Sequence, residues 1–317
     1  MLKKFRFIVP IQLCYGIATF IPGVNQLLSI GSGGTNNPRY CYGIWLRHLV
    51  MAHHSGLNTR PEVIAELGPG DSLGIGLTAL LTGSNKYYAF DAVSHAEITR
   101  NLKVFDELVR LLKNRTPIPN NIEFPNVKPE VMQHDFPSDI LDENRLEISL
   151  DEARLKKIRD SICKINQPES MIKYKAPWSN SNVIEDESVD LIYSQAVLEH
   201  VDELENTYTA MGRWLKRGGY LSHQIDFKCH RTSTVWNGHW TFSKFLWRLI
   251  RGNRPYSLNR EPFSRHVNLL KQNKFKIVKK LKNCSESKIS RAELAAEFKE
   301  ISEDDLTTSG VFIQAVK

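Results

Sequence analysis

Cysteine is scarce in this 317-residue sequence: Cys14, Cys41, Cys163, Cys229 and Cys284 are widely spaced, odd in number and without a CxxC pair. That argues against a disulfide framework or a zinc finger and points to a reduced, cytoplasmic setting. Long apolar runs are missing too. Lys3, Lys4 and Arg6 precede an apolar stretch, as in a signal peptide. However, Pro10, Gln12, Pro22, Asn25 and Gln26 interrupt it, and nothing approaches the ~20 apolar residues of a membrane span. The pattern fits an N-terminal lid or docking segment, the alternative being an interfacial anchor in peripheral contact with a membrane. Repeats and low-complexity tracts are absent. Acid is absent from residues 1–61, which hold six Lys/Arg, and residues 228–282 carry fourteen Lys/Arg against Glu261 alone. The stretch between these flanks is net acidic. Basic flanks favour an anionic partner, whether a phosphorylated or glycan substrate, nucleic acid or a membrane surface. Plain solvation of surface helices explains them equally well.

What is present suits a globular core, with 41% hydrophobic and 24% charged residues. The most informative stretch is Val63–Ser72, VIAELGPGDS. Strand-forming residues run into Glu66, then a Gly-Pro-Gly turn, then Leu73–Leu81, which continues as a helix. Strand, glycine turn and helix form the first half of a nucleotide-binding βαβ unit. A carboxylate at the strand end suits a cationic or hydroxyl-bearing ligand better than a pyrophosphate, which prefers bare amides. Lys86–Phe90 reads as the next strand and ends at Asp91. The interval from Glu66 approximates the spacing at which an acidic residue binds ribose hydroxyls.

Further along, residues 38–54 place Tyr42, Trp45, Leu49 and Ala52 at helical spacing, and Ser94–Lys113 repeats that pattern. Five prolines between 117 and 137 break the alternation, and Leu150–Ile165 is helical and charged. Residues 114–170 therefore read as an insertion. Strands are expected at Met171–Ala176, Ser188–Ser194 and Tyr220–Phe227, with a helix opening at Gln195–Val201 and another over Leu204–Leu215. Phe275–Leu281 and Val311–Val316 can close the sheet as an antiparallel pair.

Four stretches in order resemble the class I S-adenosylmethionine-dependent methyltransferases: the Glu66–Ser72 turn, Asp190–Val201, Leu215–Leu221 and Val311–Lys317. The resemblance implies a Rossmann-like α/β fold, a seven-stranded, mostly parallel sheet with an antiparallel last strand. To it are added an N-terminal helical or lid segment (1–61) and, within a methyltransferase domain (62–317), the insertion 114–170 and an acceptor-side lid, 228–265. It implies S-adenosyl-L-methionine as cofactor. Glu66, Gly68, Pro69, Gly70, Asp71 and Ser72 would cradle its methionine end, Ser72 replacing the frequent third glycine. Asp91 and Ala92 would meet the ribose, and Gln195 and Ala196 the sulfonium. Where relatives often have an acidic residue for the adenine, this chain has Pro177-Trp178-Ser179, so Trp178 is the candidate for stacking.

If the acceptor is a hydroxyl, a base must take its proton. His200, His223 and Asp226 are the candidates, each also readable as a hydrogen-bonded structural residue. His223, Asp226 and His230 match no metal spacing, since strand alternation sets His223 and Asp226 on opposite faces, and no metal is expected. Trp236, Trp240 and Trp247 suit sugar stacking or a buried lid. Arg248, Arg251, Arg254, Arg260 and Arg265 suit phosphate or carboxylate. The chain also resembles bacterial methyltransferases that accompany surface-polysaccharide synthesis, through Glu66–Leu81, Ser194–Val201, Ser222–Phe227 and Trp236–Trp240. The expected activity is O-methylation of a sugar, glycan or nucleotide-sugar, small-molecule or glycan acceptors of anionic character being favoured. DNA is not an expected partner. The rivals are an RNA methyltransferase and a non-catalytic cofactor-binding scaffold.

Overall fold

The computed structural model describes residues 7–24, 34–178, 181–254 and 257–317. The structural account of the 1–61 segment is therefore confined to residues 7–24 and 34–61, and Ser179 lies outside the described residues. Helices α1 (Pro10–Ala18) and α2 (Pro38–His54) come first, followed by β1 (Val63–Leu67), α3 (Gly74–Leu81), β2 (Lys86–Phe90) and α4 (Ile98–Lys113). Next come α5 (Glu143–Ser149), α6 (Glu152–Cys163), β3 (Ile172–Lys175), β4 (Val189–Gln195), α7 (Leu204–Trp214) and β5 (Leu215–Asp226). The chain ends with α8 (Lys244–Arg251), α9 (Phe263–Gln272), β6 (Lys276–Cys284), α10 (Glu303–Thr307) and β7 (Thr308–Val316).

The seven strands form one sheet in the order β3-β2-β1-β4-β5-β7-β6. β1 pairs in parallel with β2 and β4, β2 with β3, and β4 with β5. β7 runs antiparallel to both β5 and β6, in keeping with the closing antiparallel pair expected of Phe275–Leu281 and Val311–Val316. The chain reverses its direction of travel across the sheet between β1 and β4, which puts a topological switch point at their carboxyl ends.

Residues alternate between two cores. Tyr193 of β4, Tyr220 of β5 and Phe312 of β7 face α2, α3 and α4, while Ile192, Leu221, Val311 and Ile313 face α7 and α9. α2 is held at its start by Asn37, whose side chain accepts from the Arg39 amide at 2.9 Å, with Pro38 in the first turn. It then buries Tyr42, Trp45, Leu49 and Ala52 in the first core. α3 lies so close to β2 that a Cβ on Gly76 would fall 2.1 Å from the Tyr87 ring.

The insertion is tied to α2. Arg47, 1% exposed, donates to the carbonyls of Pro129 at 2.8 Å and Pro119 at 2.6 Å, and Tyr42 donates to that of Thr116. The N-terminal segment docks elsewhere. Phe7 and Ile8 join Trp240, Phe242, Trp247 and Ile250 in a third apolar cluster, and α1 packs on α8 closely enough that Gly16 has no room for a side chain. Lys276, Lys279, Lys280 and Lys282 sit on β6, an edge strand, where lysine discourages pairing with other chains.

Two local expectations change. Gln195–Val201 forms one 3-10 turn, Leu198–His200, rather than a helix, because Ala196 takes a left-handed φ of 55° directly after β4. β5 begins at Leu215, five residues earlier than its apolar run suggests.

Candidate active site

A cleft of about 1220 Å³ opens at the carboxyl ends of β1, β2 and β4. Gly68 and Gly70 supply its floor, with φ of 67° and 73° that favour glycine. A Cβ on Gly68 would come within 2.5 Å of Val197 Cγ2, so the turn after β1 and the turn after β4 touch with no space for a side chain. Asp91 at the end of β2 accepts from the Gly70 amide at 3.1 Å and from the Ala92 amide at 2.7 Å. Burial raises its pKa, and those amides oppose the rise. Trp178 packs on Phe90 and Trp214, both with centroids at 5.4 Å, and presents one side to the cleft.

Gln195 is held from both sides: its Oε1 lies 3.3 Å from His48 Nε2, and its Nε2 donates to the Lys128 carbonyl at 2.9 Å. His48 in turn bonds Ser222 at 2.8 Å, and burial lowers its pKa to about 4. Through Gln195 the cleft wall is thus coupled to both α2 and the insertion.

Of the residues expected from sequence, Gly68, Gly70, Asp91, Ala92, Trp178, Gln195, Ala196 and His200 all line this cleft. Pro69 is buried within the turn. Glu66 lies beneath it, 1% exposed, accepting from Tyr193 at 3.0 Å and from Tyr87. Burial raises its pKa to about 7 against the pull of those two hydroxyls. Asp71 presents its carbonyl to Arg100 at 2.8 Å. Ser72 accepts from the Gly74 amide at 3.1 Å at the start of α3 and donates to the Thr35 carbonyl. Where relatives often have a third glycine, this chain therefore has a side chain that fastens the segment before α2.

The three base candidates separate. His200 borders the cleft, its ring tilted by 46° against that of His230 at 5.0 Å between centroids. His223 is fully buried and bonded to Ser194 at 2.8 Å, and burial lowers its pKa to about 3, so it stands away from the cleft as a neutral core imidazole. Asp226, at the end of β5, pairs with His230 at 3.3 Å and does not line the cleft. Burial pushes its pKa up, but the His230 ring and the Lys228 amide outweigh that and hold it low.

The lid residues are largely internal. Trp240 is buried and donates to the Arg260 carbonyl at 2.9 Å. Arg260 stacks between Trp247 and Phe298, 4.8 Å from each ring, and pairs with Glu297. Arg251 pairs with Asp202 and Arg265 with Glu205. Three of the five arginines singled out from the sequence are thus paired with carboxylates within the fold.

Thr35, Tyr40, Asp202, Glu203, Asn206 and Thr209 also line the cleft and escaped the sequence reading. The available signal was positional: Tyr40 stands in the first turn of a helix marked by Asn37-Pro38, and Asp202–Asn206 follow directly on the turn after β4.

Residues 147–222 match the family described as Methyltransferase domain, a stretch that contains β3, β4 and the first part of β5. No curated protein matches the chain. Among solved structures, it is similar to an S-adenosylmethionine-dependent methyltransferase from Mesorhizobium loti, with 14% identity over 85% of this chain and 98% of the other and a TM-score of 0.40. It is also similar to one from Methanosarcina mazei, with 14% identity over 84% and 96% and a TM-score of 0.42. A third is phosphoethanolamine N-methyltransferase 2 of Haemonchus contortus, in complex with S-adenosyl-L-methionine, with 14% identity over 96% and 56% and a TM-score of 0.43. The matched stretch is a methyltransferase domain, and the 3-2-1-4-5-7-6 sheet with a glycine turn facing an acidic strand end is the Rossmann-like arrangement expected of an S-adenosylmethionine-dependent methyltransferase.

Proposed function

We propose that the enzyme methylates a hydroxyl of a sugar, glycan or nucleotide-sugar. The observation that carries this reading is the composition of the cleft rim beyond His200, where Asp202, Glu203, Asn206 and Thr209 offer hydrogen-bond partners suited to a polyol. The rim addresses the acceptor's hydroxyls rather than an anionic group, because the arginines nearest it are already paired. Gly68 and Gly70 would hold the methionine end of the cofactor, Asp91 its ribose and Trp178 its adenine, with Gln195 and Ala196 beside the sulfonium.

Methyl transfer is an in-line displacement at the sulfonium carbon, so the protein acts mainly by holding two reactants in line. In this reading, His200 meets the acceptor and the cofactor lies on the opposite side of the cleft. His200→Ala is expected to lower turnover by about 10²–10⁴-fold with S-adenosylmethionine affinity unchanged. A radiolabelled-methyl assay across nucleotide-sugars and oligosaccharides, paired with calorimetry, measures both. Unchanged turnover in the variant, or transfer to RNA and to no glycan, would contradict the assignment.

A further inference from the structure

On the acceptor side of the cleft, the turn after β4 faces the turn after β5. Glu199, His200 and His230 meet there, each offering a ligand atom within 4.8 Å of the other two. Glu199 is 3% exposed, and neither of its carboxyl oxygens has a hydrogen bond among the described residues. A buried carboxylate without a donor is unfavourable unless it is protonated or a cation answers it. Asp226 lies 3.3 Å from the His230 ring, the kind of carboxylate–imidazole pair that orients ligating histidines. The turn that presents His230 is held with left-handed φ at two bulky residues, 43° at His230 and 66° at Arg231. Such strain persists only where the surroundings enforce it, and it clusters at ligand sites.

We propose that Glu199, His200 and His230 bind one divalent transition-metal ion, with Asp226 supporting His230 from behind. Two imidazole nitrogens and one carboxylate oxygen suit Mn²⁺, Co²⁺ or Zn²⁺ better than Ca²⁺ or Mg²⁺, which prefer oxygen ligands. Held by His200 at the cleft wall, the ion would take an acceptor hydroxyl as a further oxygen ligand and lower its pKa, so that His200 acts there as a ligand and not as the base. This last point rests on the acceptor reading given above. Sequence spacing hides the set because thirty residues and the whole of β5 separate His200 from His230.

The test is a calorimetric titration of the full chain, stripped with chelator, using Mn²⁺ and Zn²⁺ separately, with electron paramagnetic resonance following Mn²⁺. One ion per chain is expected. Loss of a supporting residue around a metal ligand already costs 10–100-fold in affinity, so Glu199→Gln and His230→Ala should each weaken binding by about tenfold or more. S-adenosylmethionine affinity should stay unchanged in both, which also reports that they fold. Should Glu199→Gln fail to fold, His230→Ala carries the test, since that ring is partly exposed. No saturable binding of either ion by the wild type, or equal binding by the variants, would overturn the site. Metal binding without S-adenosylmethionine binding would instead remove the cofactor reading and leave the metal site standing.

Discussion

At the end of β1, Glu66 meets the hydroxyls of Tyr87 and Tyr193 and almost no solvent. Burial raises its pKa from 4.5 to about 7. The folded state therefore binds a proton more tightly than the unfolded chain, and the stability this gives is complete below pH 4.5 and lost as pH rises through about 7. Glu66→Gln is neutral throughout, so its stability relative to wild type should improve between pH 5 and pH 8, by on the order of 2–3 kcal/mol. Urea unfolding of both proteins at the two values measures it, and a pH-independent difference would contradict the burial argument. The sequence marks Glu66 as special but not where its carboxyl points. An acidic residue at a strand end reads the same whether it faces a ligand or two tyrosines from neighbouring strands.

Turns set the floor of the cleft. Gly68 and Val197 touch across it, joining the turn after β1 to the turn after β4. Gly68→Ala meets a positive φ and a 2.5 Å contact together, which should cost about 2–4 kcal/mol. It should also abolish cofactor binding, because the two turns would be pushed apart. Thermal unfolding and calorimetry on the variant check this, and wild-type values in both would refute the contact.

The regular elements were largely legible in the sequence. β1 and β2 fall at Val63–Leu67 and Lys86–Phe90 as read, because short β-rich runs bounded by turn residues leave little choice. The helix expected at Gln195 was not legible as a turn, since nothing in Gln-Ala-Val-Leu marks Ala196 for a left-handed conformation. His223 also misled. β5 lies inside the sheet and is buried on both faces for most of its length, so its alternation carries no inside–outside signal.

Across the whole molecule, the sheet and its two cores make a rigid frame. The insertion, α2 and the lid converge on the open end of that frame. Gln195 links α2 and Lys128 at the cleft wall, and the N-terminal segment and the lid share the third cluster. No helix among the described residues is long and apolar enough to cross a membrane. The strong basic charge of residues 228–282 suits an anionic partner and plain solvation equally in the sequence. In the fold three of its arginines pair with carboxylates and four of its lysines sit on the edge strand β6, which a charge count does not reveal. In our proposal this cleft holds S-adenosylmethionine across Gly68, Gly70 and Asp91. Calorimetric titration of the purified chain with S-adenosylmethionine, beside Asp91→Ala, tests it most directly. Saturable binding of one cofactor per chain is predicted, weakened in the variant by the loss of charge-assisted hydrogen bonds of about 1.5–3 kcal/mol each. Absence of binding by the wild type, or equal affinity in the variant, would contradict it.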